Sequence, residues 1–196
     1  MKTLRLTKKF DFVVPQNVID ALWKMYNKYE SEHGSTYSII KNANKDSIVI
    51  SEMQLPKNKD LLKGDAMKQS KFIENFKLST EWVFYDDNVK LVESFVKQYF
   101  SSAFQFRIDK LLAGCSLGWH DKHPYPRVFI PMHDNNCQFM IKNKTESQNN
   151  IYRLGECWMW DVRELHSVDN THSSTDRIMA CFNIDPEFEK NTDIFV

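Results

Sequence analysis

Hydrophobic and polar positions change rhythm halfway along the 196-residue chain. In the first half, apolar residues recur at helical spacing in two places. Val18, Ile19, Leu22, Trp23, Met25, Tyr26 and Tyr29 fall along one stripe, which predicts an amphipathic helix from Pro15 to about Glu32. Pro15 suits the first turn, where its missing N–H has no partner to lose, and His33-Gly34 supplies a stop. A second stripe over 86–100 (DDNVKLVESFVKQYF) predicts another helix, capped by Asp86 or Asp87, whose negative charge suits that end. Residues 3–14 read as a strand. Residues 36–50 fit a strand pair with Ile48-Val49-Ile50 as its second member. The Lys-rich 54–70, with Pro56 and Gly64, reads as a loop with room for a short helix.

From residue 104 the pattern shortens to strand-like pieces divided by turns: FQFRIDKLL, SLGWHDKH, RVFIPMH, CQFMIKN, NIYRLG, CWMWDV, LHSVDN and DRIMACFNI. Eight such pieces in about 80 residues predict an all-β sandwich or barrel. The polar TESQNN segment before the fifth piece reads as an exposed loop, and Gly155-Glu156 as a tight turn. The expectation is one domain, mainly β with flanking helices. A frame over 1–103 packs on a β-barrel or jelly roll over 104–185, followed by a tail over 186–196.

Composition narrows the function classes. Lys+Arg and Asp+Glu are 26 each, so the net charge is zero and no long-range field draws in nucleic acid or an anionic membrane. The lysines are scattered, while five of the six arginines fall in the β-rich half. Only 5 glycines are present, which disfavours phosphate-binding loops. No apolar run is long enough for a membrane span, and residues 1–12 lack a signal-peptide core. Cys115, Cys137, Cys157 and Cys181 form no close pair. They are expected as free thiols in a reducing compartment, hence a cytoplasmic protein.

Histidine carries the candidate chemistry. Five of the six lie in the β-rich half, four of them in GWHDKHPYPRVFIPM (118–132) and GECWMWDVRELHSVDNTHSSTDRIMACFNI (155–184). His120 ends one strand and Arg127 opens the next; His166 follows an aromatic strand and Arg177 opens the last. A barrel can gather such strand ends at its mouth. Two imidazoles with open coordination positions suit a non-haem iron site, and an arginine suits a dicarboxylate. His123, before the stiff Pro124-Tyr125-Pro126, is a candidate pocket residue, and Trp119 a candidate pocket wall. His133 and His172 are expected to be solvated. Trp158 and Trp160 share a face and read as core.

The residues from about Arg107 to Asp185 resemble the iron(II)/2-oxoglutarate-dependent oxygenases, in particular the aspartyl/asparaginyl β-hydroxylase branch. Lys110-Leu-Leu-Ala-Gly114 resembles the strand and turn before the first metal histidine, and Trp119-His120 stands where that histidine belongs. Arg127-Val-Phe-Ile-Pro-Met132, Gly155-Glu-Cys-Trp-Met-Trp-Asp161 and His166-Ser-Val-Asp-Asn170 with Arg177 follow in the family's order. The resemblance implies a double-stranded β-helix core of jelly-roll or cupin-like form, with Fe(II), 2-oxoglutarate and O₂. His120 and His166 are implied as metal ligands. Arg177 is implied as the anchor of the distal 2-oxoglutarate carboxylate, with Arg127 at its other end. The implied reaction hydroxylates an unactivated C–H of an amino-acid-like, peptidyl Asp/Asn-type or other small polar substrate, while 2-oxoglutarate is converted to succinate.

Two departures stand out. The wider superfamily has His-x-Asp, but Lys122 lies two after His120, so Asp121 is the tentative third ligand and needs a bend to reach the metal. Phe129 stands where the branch often has histidine. Two other readings remain open: a cupin-like metal enzyme without 2-oxoglutarate, and a non-catalytic β-barrel binding module. The oligomeric state is not legible.

Overall fold

The structure, a computed structural model, describes residues 3–33, 39–41, 48–52, 85–121 and 123–196. The expected loop over 54–70 and Lys122 lie outside the described residues. Eleven strands are present: β1 (Thr7–Lys9), β2 (Ile39–Lys41), β3 (Ile48–Glu52), β4 (Phe104–Leu111), β5 (Ser116–His120), β6 (Arg127–Pro131), β7 (Gln138–Lys142), β8 (Ser147–Ile151), β9 (Trp158–Trp160), β10 (Leu165–Asp169) and β11 (Arg177–Asn183). Helices α1 (Gln16–His33) and α2 (Asp87–Tyr99) precede the last eight strands.

The strands form two sheets, a larger one in the order β1-β9-β6-β11-β4-β3-β2 and a smaller one in the order β5-β10-β7-β8. Every pairing is antiparallel. The eight strands from β4 on cross between the sheets and fold over one another, which makes the core a double-stranded β-helix.

Strand alternation explains how the two faces of the larger sheet are used. Phe106 and Ile108 of β4, Val128 and Ile130 of β6, Met159 of β9, and Ala180 and Phe182 of β11 share one apolar cluster with Val18, Leu22 and Met25 of α1 and Val92 and Val96 of α2. The opposite face looks into the barrel, where Phe129, Trp160, Met179 and Cys181 meet Phe139, Ile141 and Val168 of the smaller sheet. Trp160 is fully buried, in line with its expected core role.

Two local readings are corrected. The strand expected over 3–14 is hydrogen-bonded as a strand only over Thr7–Lys9. Beyond a bend, Phe10 and Val14 donate to the carbonyls of Cys157 and Gly155. Gly155 adopts φ +81, and a Cβ there would meet Val13 Cγ1 at 3.2 Å, so glycine is required. Strand β8 runs over Ser147–Ile151, mostly inside the segment expected as a loop and starting ahead of the expected piece NIYRLG. It is an edge strand that alternates exposed and half-buried residues, so polar side chains cost little there.

Asp86 caps α2. Its carboxylate accepts from the Asn88 and Val89 amides at 3.0 and 3.2 Å and from Lys28 Nζ of α1 at 3.1 Å. Asp86→Ala is expected to cost about 1 kcal/mol, seen as a fall in Tm of about 2–4 °C on thermal unfolding. An unchanged Tm would show that the cap does not matter.

Candidate metal centre

Antiparallel pairing of β5 with β10 sets His120 directly opposite His166. The register slips between His166 and Val168, a bulge that leaves the histidine pair at the end of the ladder. Their ring centroids are 4.2 Å apart. Each ring is fixed in the same way: Nδ1 of His120 lies 2.7 Å from the Gly118 carbonyl oxygen, and Nδ1 of His166 lies 2.8 Å from that of Glu164. Such a bond holds the ring and leaves Nε2 as the lone-pair nitrogen, the arrangement typical of metal-ligating histidine.

Beyond β5 the His123 amide donates to the Asp121 carbonyl at 2.7 Å. His123 returns to the pair, 5.6 Å from the His120 ring and 5.3 Å from the His166 ring. One nitrogen from each of the three rings lies within 4.8 Å of the others, a spacing that could hold a metal ion. Burial and the neighbouring His120 and Arg127 lower the pKa of His166 to about 4, and burial with Arg127 lowers that of His123 to about 2. Both are therefore neutral at pH 7, and metal binding need displace no charging proton there.

Charges deeper in the barrel come from the inward positions of the larger sheet. Asp109 of β4 accepts from Arg107 Nε at 2.9 and 3.0 Å and from the Cys181 thiol at 3.2 Å. Burial disfavours its ionised form, yet Arg107, Arg127 and Arg177 outweigh burial and hold its pKa at about 2. Arg127 donates to Asn183 Oδ1 at 3.2 Å, and Asn183 donates to Gln105 Oε1 at 2.6 Å. Arg177 is 4% exposed. Its Nη1 meets only the Met179 sulfur at 3.1 Å, and its Nε has no hydrogen-bond partner. The Tyr152 hydroxyl and the Trp160 indole N–H are also buried without partners. Three guanidinium groups thus face one carboxylate.

The structure brings His120 and His166 together and places Arg127 beside them. Asp121, the tentative third ligand, is exposed and outside the cluster; the third imidazole is His123. Trp119 is 45% exposed, with Lys142 Nζ 4.4 Å from its ring centre. His133 is half-buried and accepts from the Ile178 amide at 3.3 Å, whereas His172 is exposed as expected. The Asp109 network and Tyr152 escaped sequence reasoning. The signal for Asp109 was a charge pair, Arg107 and Asp109, at inward spacing inside an apolar strand.

A cavity of about 720 Å³ adjoins the centre. Pro124 and Tyr125, directly after His123, and Glu164, two before His166, line it, although the three imidazoles do not. Its lining includes the acidic residues Asp161, Glu164, Asp185 and Glu187 and also Arg163, which binds Asp161 through two bonds of 2.6 and 2.7 Å. Beside Arg177 the free space is only about 10 Å³.

No protein-family model matches the chain, and no curated protein matches it. Solved structures do. The non-haem alpha-ketoglutarate-dependent epimerase SnoN from nogalamycin biosynthesis is similar over 90% of this chain and 75% of that one, with TM-score 0.51 and 8% identity. A prolyl-4-hydroxylase from Pseudomonas putida is similar over 92% of this chain and 93% of that one, with TM-score 0.48 and 11% identity. A 2OG-Fe(II) oxygenase-family oxidoreductase from Burkholderia pseudomallei is similar over 91% and 83%, with TM-score 0.49 and 9% identity. The likeness to the epimerase agrees with the double-stranded β-helix read from the strand order, and at this identity it is a likeness of fold.

Removing the one carboxylate among the barrel arginines leaves their charge uncompensated. Asp109→Asn is expected to lower unfolding free energy at pH 7 by about 3–5 kcal/mol, measured by chemical denaturation. The folded pKa of about 2 lies below the ordinary 3.8, so the Asp109 contribution is present above 3.8 and lost as pH falls through about 2. The gap between the parent and the variant should narrow over that window. A gap independent of pH would contradict the charge pairing.

Proposed function

We propose that the protein is a non-haem iron(II)- and 2-oxoglutarate-dependent dioxygenase that hydroxylates an unactivated C–H of an amino-acid-like or peptidyl substrate. The observation that carries this reading is the paired His120 and His166, each with Nδ1 spent on a backbone carbonyl and Nε2 free. These two imidazoles would hold the iron, and their chemistry fits it. Iron held there would supply, with O₂ and 2-oxoglutarate, an oxidant strong enough for a C–H bond, with 2-oxoglutarate converted to succinate and CO₂.

The remaining work falls to the chain's own residues. Arg177 supports a dicarboxylate site because its guanidinium is buried and, among the described residues, has no carboxylate hydrogen-bonded to it. A dianion would offset the excess of guanidinium charge around Asp109. The free space of about 10 Å³ holds roughly one water, so binding requires Met179 to swing off Arg177. Arg127, tied to Asn183, stands at the metal end of the same interior. The barrel walls exclude water and orient the reacting carbon. The acidic wall of the 720 Å³ cavity supports a substrate that carries an amino group, as an amino acid or peptide does, and opposes a second dianion. Four free cysteines suit a reducing compartment such as the cytoplasm. No described helix is long and apolar enough to cross a membrane.

The narrow space beside Arg177 favours one second reading, a cupin-like metal enzyme that uses no 2-oxoglutarate. The test is succinate release from 2-oxoglutarate with Fe(II) across a panel of amino acids and peptides, with His166→Ala abolishing it. Arg177→Ala should weaken 2-oxoglutarate binding by about 100-fold while metal affinity stays within about threefold. Equal loss of both would remove Arg177 from the cosubstrate site. Metal binding with no affinity for 2-oxoglutarate would favour the second reading.

A further inference from the structure

The third histidine differs from the other two in a single hydrogen bond. A carbonyl oxygen only accepts, so Nδ1 of His120 and of His166 must carry the ring proton. Nδ1 of His123 instead faces Arg127 Nη2 at 3.2 Å. A guanidinium has donors and no acceptor, so Nδ1 of His123 must accept. In the neutral ring the proton then sits on Nε2. Such a ring has no nitrogen left for a metal: Nε2 carries hydrogen, and Nδ1 is spent on a cation.

Arg127 is itself held. Its Nε donates to Asn183 Oδ1, whose amide donates on to Gln105 Oε1, and Gln105 sits at φ 53, a costly conformation that the fold maintains. The register between β11 and β4 slips between Cys181 and Asn183, beside that residue. Gln105, Asn183, Arg127 and His123 form one line of side chains ending at the candidate metal centre.

We infer that His123 is not a metal ligand but an N–H donor whose tautomer Arg127 fixes, and that it hydrogen-bonds a carboxylate bound at the metal position left open by His120 and His166. This rests on the iron/2-oxoglutarate reading above, with 2-oxoglutarate as the carboxylate. Its consequence is that the metal takes two neutral protein ligands. The charge it needs then comes from the cosubstrate, and His123 with Arg127 orients that charge.

The tautomers are read directly by histidine side-chain ¹H–¹⁵N correlation on the metal-free protein. The expected result is a proton on Nε2 of His123 and on Nδ1 of His120 and His166. Co(II) titration should show metal affinity lowered by about 100-fold in His120→Ala and His166→Ala, but within about threefold of the parent in His123→Ala. In the Co(II)-loaded protein, 2-oxoglutarate affinity should fall about tenfold in His123→Ala and recover in His123→Gln, whose amide restores an N–H. A proton on Nδ1 of His123 overturns the inference, as does a loss of metal affinity in His123→Ala equal to that in His166→Ala. Succinate release by the unmutated chain under those outcomes leaves the iron reading standing. A parent chain that binds no Co(II) and no Fe(II) overturns the iron reading and the metal-bound carboxylate together, whatever the tautomers.

Discussion

Strands β4, β6, β9 and β11 of the larger sheet are largely buried on both faces, and only one of those faces is apolar. The face under α1 and α2 is Phe, Ile, Val, Met and Ala, and it needs nothing but packing. The face toward the barrel carries Arg107, Asp109, Arg127 and Arg177 among its apolar residues. Charges placed there have little water to solvate them, and each must be answered by another group or by a ligand. Asp109 answers Arg107 through two short bonds. Arg127 has an amide oxygen and an imidazole nitrogen, both neutral. Arg177 has a sulfur and the face of Phe139, whose ring centre lies 5.3 Å away. A fold organised only for stability gains little from this arrangement, since apolar residues of similar volume do as well or better. The imbalance supports an anion as the missing partner.

That constraint also sets how finely the smaller sheet must be aligned. His120 and His166 meet because β5 and β10 pair in one register, and a slip of one residue would turn either ring to the opposite face. The bulge below the pair absorbs the mismatch locally, so the remaining contacts of β10 with β7 stay in regular register from Leu165 to Asp169. Ser167 adds a side-chain bond to the Leu117 carbonyl at 2.7 Å, which pins the two strands at the bulge.

Much of this was legible in the residues. The helices, the cap at Asp86 and seven of the eight core strands follow from period and turn chemistry, because each is decided within a few residues. The fifth strand was missed because an edge strand made of Ser, Gln and Asn has no hydrophobic alternation to announce it. The histidine pair was legible from the order of the chain. Asp121 was a tentative third ligand because it is an acid next to His120. In the structure Asp121 is exposed, and His123, whose amide donates to the Asp121 carbonyl, lies in the cluster instead. A single backbone bond of this kind leaves little trace in composition.

The zero net charge of the chain conceals two fields of opposite sign a short distance apart. Inside the barrel, three guanidinium groups face one carboxylate. The adjoining cavity is lined by Asp161, Glu164, Asp185 and Glu187 together with Arg163, which Asp161 engages. Low-dielectric walls sharpen both fields, because fewer field lines escape into water. A small dianion is drawn to the first and repelled by the second, and a molecule bearing an amino group experiences the reverse. The segment from His123 to Tyr125 forms part of the boundary, with His123 in the metal cluster and Pro124 and Tyr125 in the cavity wall.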